Sequence, residues 1–496
     1  MTCGTVYVAS EAPGKRKGTD LAFMLTLTDI LEALSGVRPE FAGVVITEAV
    51  VDSRKAVPGC LFVAVPGEQV DGHEFLEDAF ERGAQVAFIQ REVPSKYPIL
   101  DLRSGLDPQA LIGLDLPFCV WVQDSVVALQ QVARFWRRKL NLRVIGITGS
   151  VGKSTTKELV AEVLNQRYRT LKNQGNLNNE IGLPLTLLSL NEEHERAVLE
   201  MGFYVPGEIA FLCDLALPHV GVVTNIGTVH AERAGSQEVI ARGKAELVQA
   251  LPPEPEGVAV LNYDDPWVRK MASQTRARVF FYGLDPEADL WAENVEGLGL
   301  DGIRFRLHYR NETLYLHVPL IGRHSVHTAL RAAAVGLVEG LTWQEIVNGL
   351  RSERTQLRLV AVHTQSGALI LDDTYNASPE STLAALNLLE ELEGRKVAVL
   401  GDMLELGSYA ARGHEMVGVR AAEVVEDLIT VGELGRLIAE AANKSGLKRS
   451  QITELEDAQA AIAFLQNRLT ARDVVLIKGS HGMHMERIVA ALETDE

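Results

Sequence analysis

At 496 residues, with 47% hydrophobic and 23% charged side chains, the chain has an ordinary globular composition and length for three domains of roughly 150 residues. A net charge of −18 and a pI near 5.2 exclude a general nucleic-acid binder, whose footprint is basic. Cys3, Cys60, Cys119 and Cys213 show neither metal-ligand nor redox spacing, and the apolar run after Lys15, Arg16 and Lys17 is broken by Asp29 and Glu32, so a soluble cytoplasmic protein without membrane insertion is expected.

Residues 1 to about 24 carry no clear pattern and are expected to form a poorly ordered leader. A helix from Thr28 to Leu34, strands at Val45–Val50, Cys60–Val65 and Val86–Gln90, a helix from Phe75 to Arg82, a strand at Phe118–Val122 and a helix from Ser125 to about Leu140 then make a first domain, 1–140. The polar loops Asp52-Ser53-Arg54, Pro66-Gly67-Glu68 and Asp71-Gly72-His73 stand at its strand ends. There, ligand binding and plain turn chemistry are about equally good explanations.

Leu142 to Ile147 reads as a buried strand, and Thr155 to Tyr168 has helical spacing, with Leu159 and Val163, then Val160 and Leu164, at i,i+4. Between them lies Gly149-Ser-Val-Gly152-Lys153-Ser154, a shortened phosphate-loop pattern. Glycines let backbone N–H groups approach an anion, the helix N-terminus adds partial positive charge, Lys153 adds a full one, and the Ser154 hydroxyl can reach magnesium. Strands at Ala197–Leu199, Val220–Thr224, Val258–Leu261 and Val279–Tyr282 alternate with helices, an antiparallel hairpin spans 295–319, and Arg323–Leu350 is helical, completing a central domain, 141–350. After a charged linker, Arg351–Arg358, strands at Ala368–Leu371, Lys396–Leu400, Asp427–Val431 and Asp473–Ile477 give a third domain, 351–496. The fold class is therefore α/β with three domains: a central phosphate-loop domain on a mostly parallel sheet and a C-terminal Rossmann-like, doubly wound domain.

Several polar groups fall near strand ends, where open α/β sheets hold ligands. Glu200 is suited to share magnesium with Ser154, and His230 stands a few residues beyond Thr224; a capping acid and a satisfied core histidine are the plain alternatives. Lys244 lies inside the apolar stripe of Ile240, Leu247 and Leu251. It either snorkels to water, the commoner outcome, or is a buried neutral amine able to take up carbon dioxide as a carbamate. Asn173, Asn176, Asn178 and Asn179 crowd the loop 172–184. Asp372-Asp373-Thr374-Tyr375-Asn376-Ala377-Ser378-Pro379 and Gly401–Gly407 stand at ends of third-domain strands, where facing the phosphate site across a cleft and plain turn chemistry are about equally good explanations.

With these segments in order the chain resembles the Mur ligases over nearly its whole length. The carrying residues are Asp52-Ser53-Arg54, Pro58–Ala64 and Asp71-Gly72-His73; Thr148-Gly-Ser-Val-Gly-Lys-Ser154; Gly175–Leu185; Glu200-Met-Gly202; Asn225-Ile-Gly-Thr-Val-His230; Lys244-Ala-Glu246; Asp372–Pro379; Gly401–Gly407; and Lys478-Gly-Ser480. The resemblance implies an ATP-dependent amide ligase that joins UDP-N-acetylmuramoyl-tripeptide to D-alanyl-D-alanine through an acyl phosphate, acting as a cytoplasmic monomer in peptidoglycan precursor synthesis. It implies ATP contacts from Thr148, Gly149, Ser150, Val151, Gly152, Lys153, Ser154, Thr155 and Asp373, with Lys153, His230 and Lys244 catalytic. It further implies Mg2+ held by Ser154, Glu200, His230 and a carbamylated Lys244, and UDP-substrate contacts from Ser53, Arg54, Asp71, His73, Asn176, Asn178 and Asn179. The pattern departs from the family at His324-Ser325-Val326-His327-Thr328, where two asparagines near the adenine are usual, at Ser378 and Thr382, and at His481-Gly482. The competing readings are a sister ligase with another acceptor and a nucleotide-binding scaffold without turnover.

Overall fold

The computed structural model describes residues 24–39, 43–67, 70–94, 96–111, 114–228, 231–352, 360–466 and 468–493. The leader up to residue 23, Cys3, Glu68, most of the linker and His230 lie outside the described residues. Among the described residues the strands form three sheets of five, nine and six strands, in the expected α/β architecture.

The first sheet is parallel, in the order Ala49–Val50, Leu61–Val63, Val86–Ile89, Phe118–Trp121, Ile99–Asp101. The run Val45–Val50 pairs as a strand only at its last two residues, and the helix expected over 75–82 opens as a 3-10 turn at Gly72–Phe75 before Leu76–Glu81. Ile99–Asp101, which shows no strand alternation of hydrophobicity in the chain, is an edge strand with one buried residue, Leu100.

The nine-stranded sheet places Arg143–Thr148 between Val220–Val223 and Arg196–Glu200, all parallel. A short edge strand, Thr170–Lys172, lies beyond Arg196–Glu200. On the other side Val258–Asn262, Arg278–Gly283 and Leu290–Gly297 continue in parallel. The hairpin expected over 295–319 is the second half of a three-stranded antiparallel extension, because Leu290–Gly297 pairs with Ile303–Tyr309 before the chain turns into Glu312–Val318. The helical stretch 323–350 is two helices, Val326–Val338 and Trp343–Leu350, broken at Gly340, whose φ of 79° is one that a β-carbon resists.

The third sheet runs Val360–His363, Leu369–Asp373, Asp473–Lys478, Arg395–Gly401, Asp427–Val431, Ile452–Leu455, parallel except for its first pair. Helices cover both faces and separate cores fill them: Leu386, Leu389 and Val417 lie in one, Ile462, Ile488 and Val489 in the other.

The first two sheets, in contrast, share one core. It runs without a break from Val63, Phe88 and Val120 through Val132 and Trp136 to Leu183, Leu199, Leu212 and Leu247. The helix Ser125–Lys139 is the joint. Trp136 Nε1 donates to Leu190 O at 2.8 Å, and the buried Arg137 guanidinium donates to the carbonyls of Ala216 (2.7 Å), Leu140 (3.1 Å) and Leu142 (3.3 Å). Burial, helped by the weaker repulsion of Arg138, pushes that guanidinium down to about 10.

Candidate active site

The strand Arg143–Thr148 is β-branched and buried; at its end the chain turns through Gly149–Gly152 into the helix Lys153–Leu164. Two glycines make this turn possible. A β-carbon at Gly149 would stand 1.8 Å from Thr224 Oγ1, and Gly152 caps the helix with φ 83°. The turn is pinned to the end of the neighbouring strand: Ser150 N donates to Asn225 O (2.9 Å), Val151 N to Asn225 Oδ1 (2.9 Å), Thr224 Oγ1 to Val151 O (2.7 Å) and Gly227 N to Ser150 Oγ (2.8 Å). A pinned turn keeps its N–H groups aimed without an ordering cost on binding. Thr148 is buried, with its hydroxyl donating to Met201 O, so it shapes the turn from behind.

Lys153 Nζ donates to Gly149 O (2.9 Å) and Ser150 O (3.3 Å), folded over the loop. Ser154 Oγ donates to Glu200 Oε2 at 2.5 Å. Glu200 is 2% exposed; Asn178 Nδ2 donates to its other oxygen (2.9 Å), and Asn173 accepts from its backbone N–H (2.9 Å) and donates to its carbonyl (3.2 Å). A hydroxyl and an oriented carboxylate, hard oxygens beside a phosphate cradle, fit Mg2+, which takes its remaining ligands from water and phosphate.

Lys244 does not snorkel. It is 0% exposed in the helix Gln237–Gln249, its Nζ donates to Gly149 O at 3.0 Å, and it sits 4.6 Å from the centre of the Phe203 ring. Burial, and then repulsion from Lys153, hold its ammonium well below the usual lysine range, against a weaker opposing pull from Glu208. Two lysines therefore share one carbonyl, and burial disfavours the charged form of Lys244.

A cleft of about 380 Å3 opens between the cradle and the third sheet, lined by Val151, Lys153, Thr155 and Arg331 on one wall and Asp373, Asn376 and Lys478 on the other. Lys478, 2% exposed, bonds Asp373 Oδ2 (2.6 Å) and Asn376 O (2.9 Å). Thr228, two residues before His230, donates through N (3.2 Å) and Oγ1 (3.3 Å) to Glu380 of the helix Pro379–Glu391, and Glu232 N donates to Glu405 O (3.2 Å). These bonds bring the third sheet onto the cradle.

The residues expected to meet the UDP-substrate divide. Arg54 is exposed and paired with Asp52 (2.9 and 2.8 Å), while Ser53 is buried within the same 3-10 turn. His73 presents no ring nitrogen to a ligand: Nδ1 bonds Asp71 Oδ1 (2.6 Å) and Nε2 accepts from Gln90 N (3.0 Å), so it braces the loop. Asn179 Oδ1 accepts from Gly182 N (2.9 Å) at the start of a helix, and Asn178 aims Glu200; these amides are spent on scaffold, while Asn176, exposed like Asn179, has no such task in the loop.

Partial burial works against the Asp71 charge, yet the backbone and ring N–H groups of His73, with Arg91 (2.8 Å), hold its carboxyl down to about 2 from 3.8. A carboxyl lowered by folding stabilises above its unfolded value and loses that contribution as pH falls through its folded one. Wild-type protein is therefore expected to lose stability between pH 4 and 2 in urea melts, and Asp71→Asn to lack that component.

Asn225, Asn173, Thr228 and Glu380 gain their place only by tertiary contact, and no periodicity marks them. Arg331 carries a readable mark, a charge in the apolar helix Val326–Val338.

Models of three Mur ligase regions match the chain: the Mur ligase family catalytic domain at residues 45–100, the Mur ligase middle domain at 147–336, and the Mur ligase glutamate ligase domain at 357–481. The UDP-N-acetylmuramoyl-tripeptide–D-alanyl-D-alanine ligase of Bacillus subtilis is 36% identical over 474 residues, covering 94% of this chain and 98% of that protein. The Escherichia coli protein of the same name is 33% identical over 475 residues, covering 95% and 98%. Among solved structures, MurF from Acinetobacter baumannii superposes with a TM-score of 0.78 at 29% identity, covering 93% of this chain and 97% of that one. MurF from Thermotoga maritima in complex with ADP gives 0.74 at 28% identity, covering 90% and 96%.

Proposed function

The chain belongs to the Mur ligase family, and from that premise we propose that it joins UDP-N-acetylmuramoyl-tripeptide to D-alanyl-D-alanine, with ATP cleaved to ADP and phosphate, in peptidoglycan precursor synthesis. The observation that carries the reading is the pinned cradle with Lys153 over it and Ser154–Glu200 beside it, in a cleft closed by the third sheet. We assign residues 1–140 to the UDP-substrate, 141–350 to ATP and 351–496 to closure over ATP and the dipeptide.

The γ-phosphoryl group passes from ATP to the tripeptide carboxylate, giving an acyl phosphate and ADP. The dipeptide amine then attacks the acyl carbon, the C–O bond to phosphate breaks, and the amine proton leaves to solvent. Both partners of the first step are anions, so charge neutralisation is the main requirement. The N–H groups of 152–155, at the helix N-terminus, hold the phosphates, Lys153 swings from the Gly149 and Ser150 carbonyls onto them, and Asp373 with Lys478 bounds the opposite wall. Magnesium, when bound, neutralises charge on the phosphate oxygens; Ser154 and Glu200 are its donors here, and the family resemblance adds His230 and a carbamate on Lys244. The carbamate forms as R–NH2 + CO2 → R–NH–COO− + H+, and the burial of Lys244, which disfavours its charged form, supports that chemistry. We assign the UDP part to Arg54 and Ser53 on one loop and to Asp71 and His73 on a second, and Asn176 to the substrate in the central domain.

The reading takes the protein as a cytoplasmic monomer without nucleic-acid or membrane partners, as its nucleotide substrates suit. Among the described residues no helix is long and apolar enough to cross a membrane. Phosphate release is expected only with ATP, UDP-muramoyl-tripeptide and D-alanyl-D-alanine together. Release with a single amino acid in place of the dipeptide would favour a sister ligase, and no release with all three would leave a scaffold.

A further inference from the structure

Arg331 sits 4% exposed in the helix Val326–Val338, among Ala329, Leu330, Ala332 and Ala333. Its Nη2 donates to Thr328 Oγ1 (2.7 Å) and its Nη1 to Tyr282 OH (3.4 Å); its Nε has no hydrogen-bond partner. No carboxylate among the described residues pairs with it. A guanidinium carries five donors and a charge that it does not lose, and burying it against two neutral hydroxyls alone is costly; an anion is what completes such a site.

Its position says which anion. A β-carbon on Gly152 would stand 3.1 Å from Nη2, so the guanidinium lies beside the glycine that opens the helix of Lys153, and both line the same cleft. A planar fork of N–H groups matches phosphate oxygens in two-pronged geometry. We propose that Arg331 binds the phosphates of the nucleotide, as a second cation across the cradle from Lys153. This rests on the nucleotide reading of the cleft and adds to it a residue that the cradle motif does not contain. Thr328 and Tyr282 hold the guanidinium in place while the phosphates are absent.

The test is calorimetric binding of ADP and of adenosine to wild type, Arg331→Met and Arg331→Lys, with melting curves for all three. Loss of one charge-assisted contact is expected to weaken ADP about 10- to 100-fold in the Met variant, to leave adenosine within about twofold, and to be restored only in part by Lys, which keeps the charge and loses the fork. ADP binding unchanged in the Met variant would overturn the proposal, and so would parallel weakening of ADP and adenosine, which marks a pocket brace. Should the Met variant fail to fold, Arg331→Gln carries the same comparison. Wild type that binds no ADP would instead overturn the nucleotide reading, before any variant is compared.

Discussion

Lys153→Ala is expected to lower kcat for phosphate release about 1000-fold, within the range for a cation that neutralises a transferring phosphoryl group. The lysine is half-buried and bonds two carbonyls of its own loop, a loop that remains pinned through Thr224 and Asn225 without it. Melting temperature should therefore stay close to wild type while turnover collapses. A variant that keeps more than a tenth of wild-type kcat would remove Lys153 from the chemistry and leave the cradle a binding site only.

Lys244→Met is expected to separate chemistry from packing. The amine is buried, its charge is disfavoured first by that burial and then by Lys153, and its Nζ donates to Gly149 O. Replacing it by an apolar chain of similar length removes a polar group from the core, so stability should hold or rise. Ligation should nonetheless fall about 100-fold, the usual cost of losing a group that supports a metal. The second readout is independent of turnover: 13C-labelled bicarbonate should give a carbamate resonance in wild type and none in the Met variant. Wild type without that resonance, in the presence of magnesium, would exclude the modification and leave Lys244 a buried partner of the Gly149 carbonyl.

Much of the site's central element is written locally. Buried β-branched residues, then two glycines, then i,i+4 apolar pairs announce strand, turn and helix, because each depends on near neighbours alone. Lys244 stands out by the same logic, a cation inside an apolar stripe. Arg331 bears that mark too, but the alanines around it read as close packing and mask it. Thr170–Lys172 and Ile99–Asp101 escape detection because edge strands carry little alternation. The roles of Asn178, Asn179 and His73 depend on partners that the chain order does not reveal: an amide beside Glu200, a helix start, a backbone N–H 17 residues on. The contact of Thr228 with Glu380, across 152 residues, belongs to that class, since only the docked third sheet creates it.

Because one hydrophobic interior, riveted by Trp136 and Arg137, runs beneath both the first sheet and the sheet that carries the cradle, the loops proposed for UDP and the cradle are held at a fixed separation. They form the fixed jaws of a caliper. A substrate held at its sugar-nucleotide end delivers its terminal carboxylate to Lys153 only if its peptide stem has the right number of bonds. On the proposed assignment of the two anchor points, length is measured by the frame, and a stem one residue too short is expected to be turned away without any of its side chains being read.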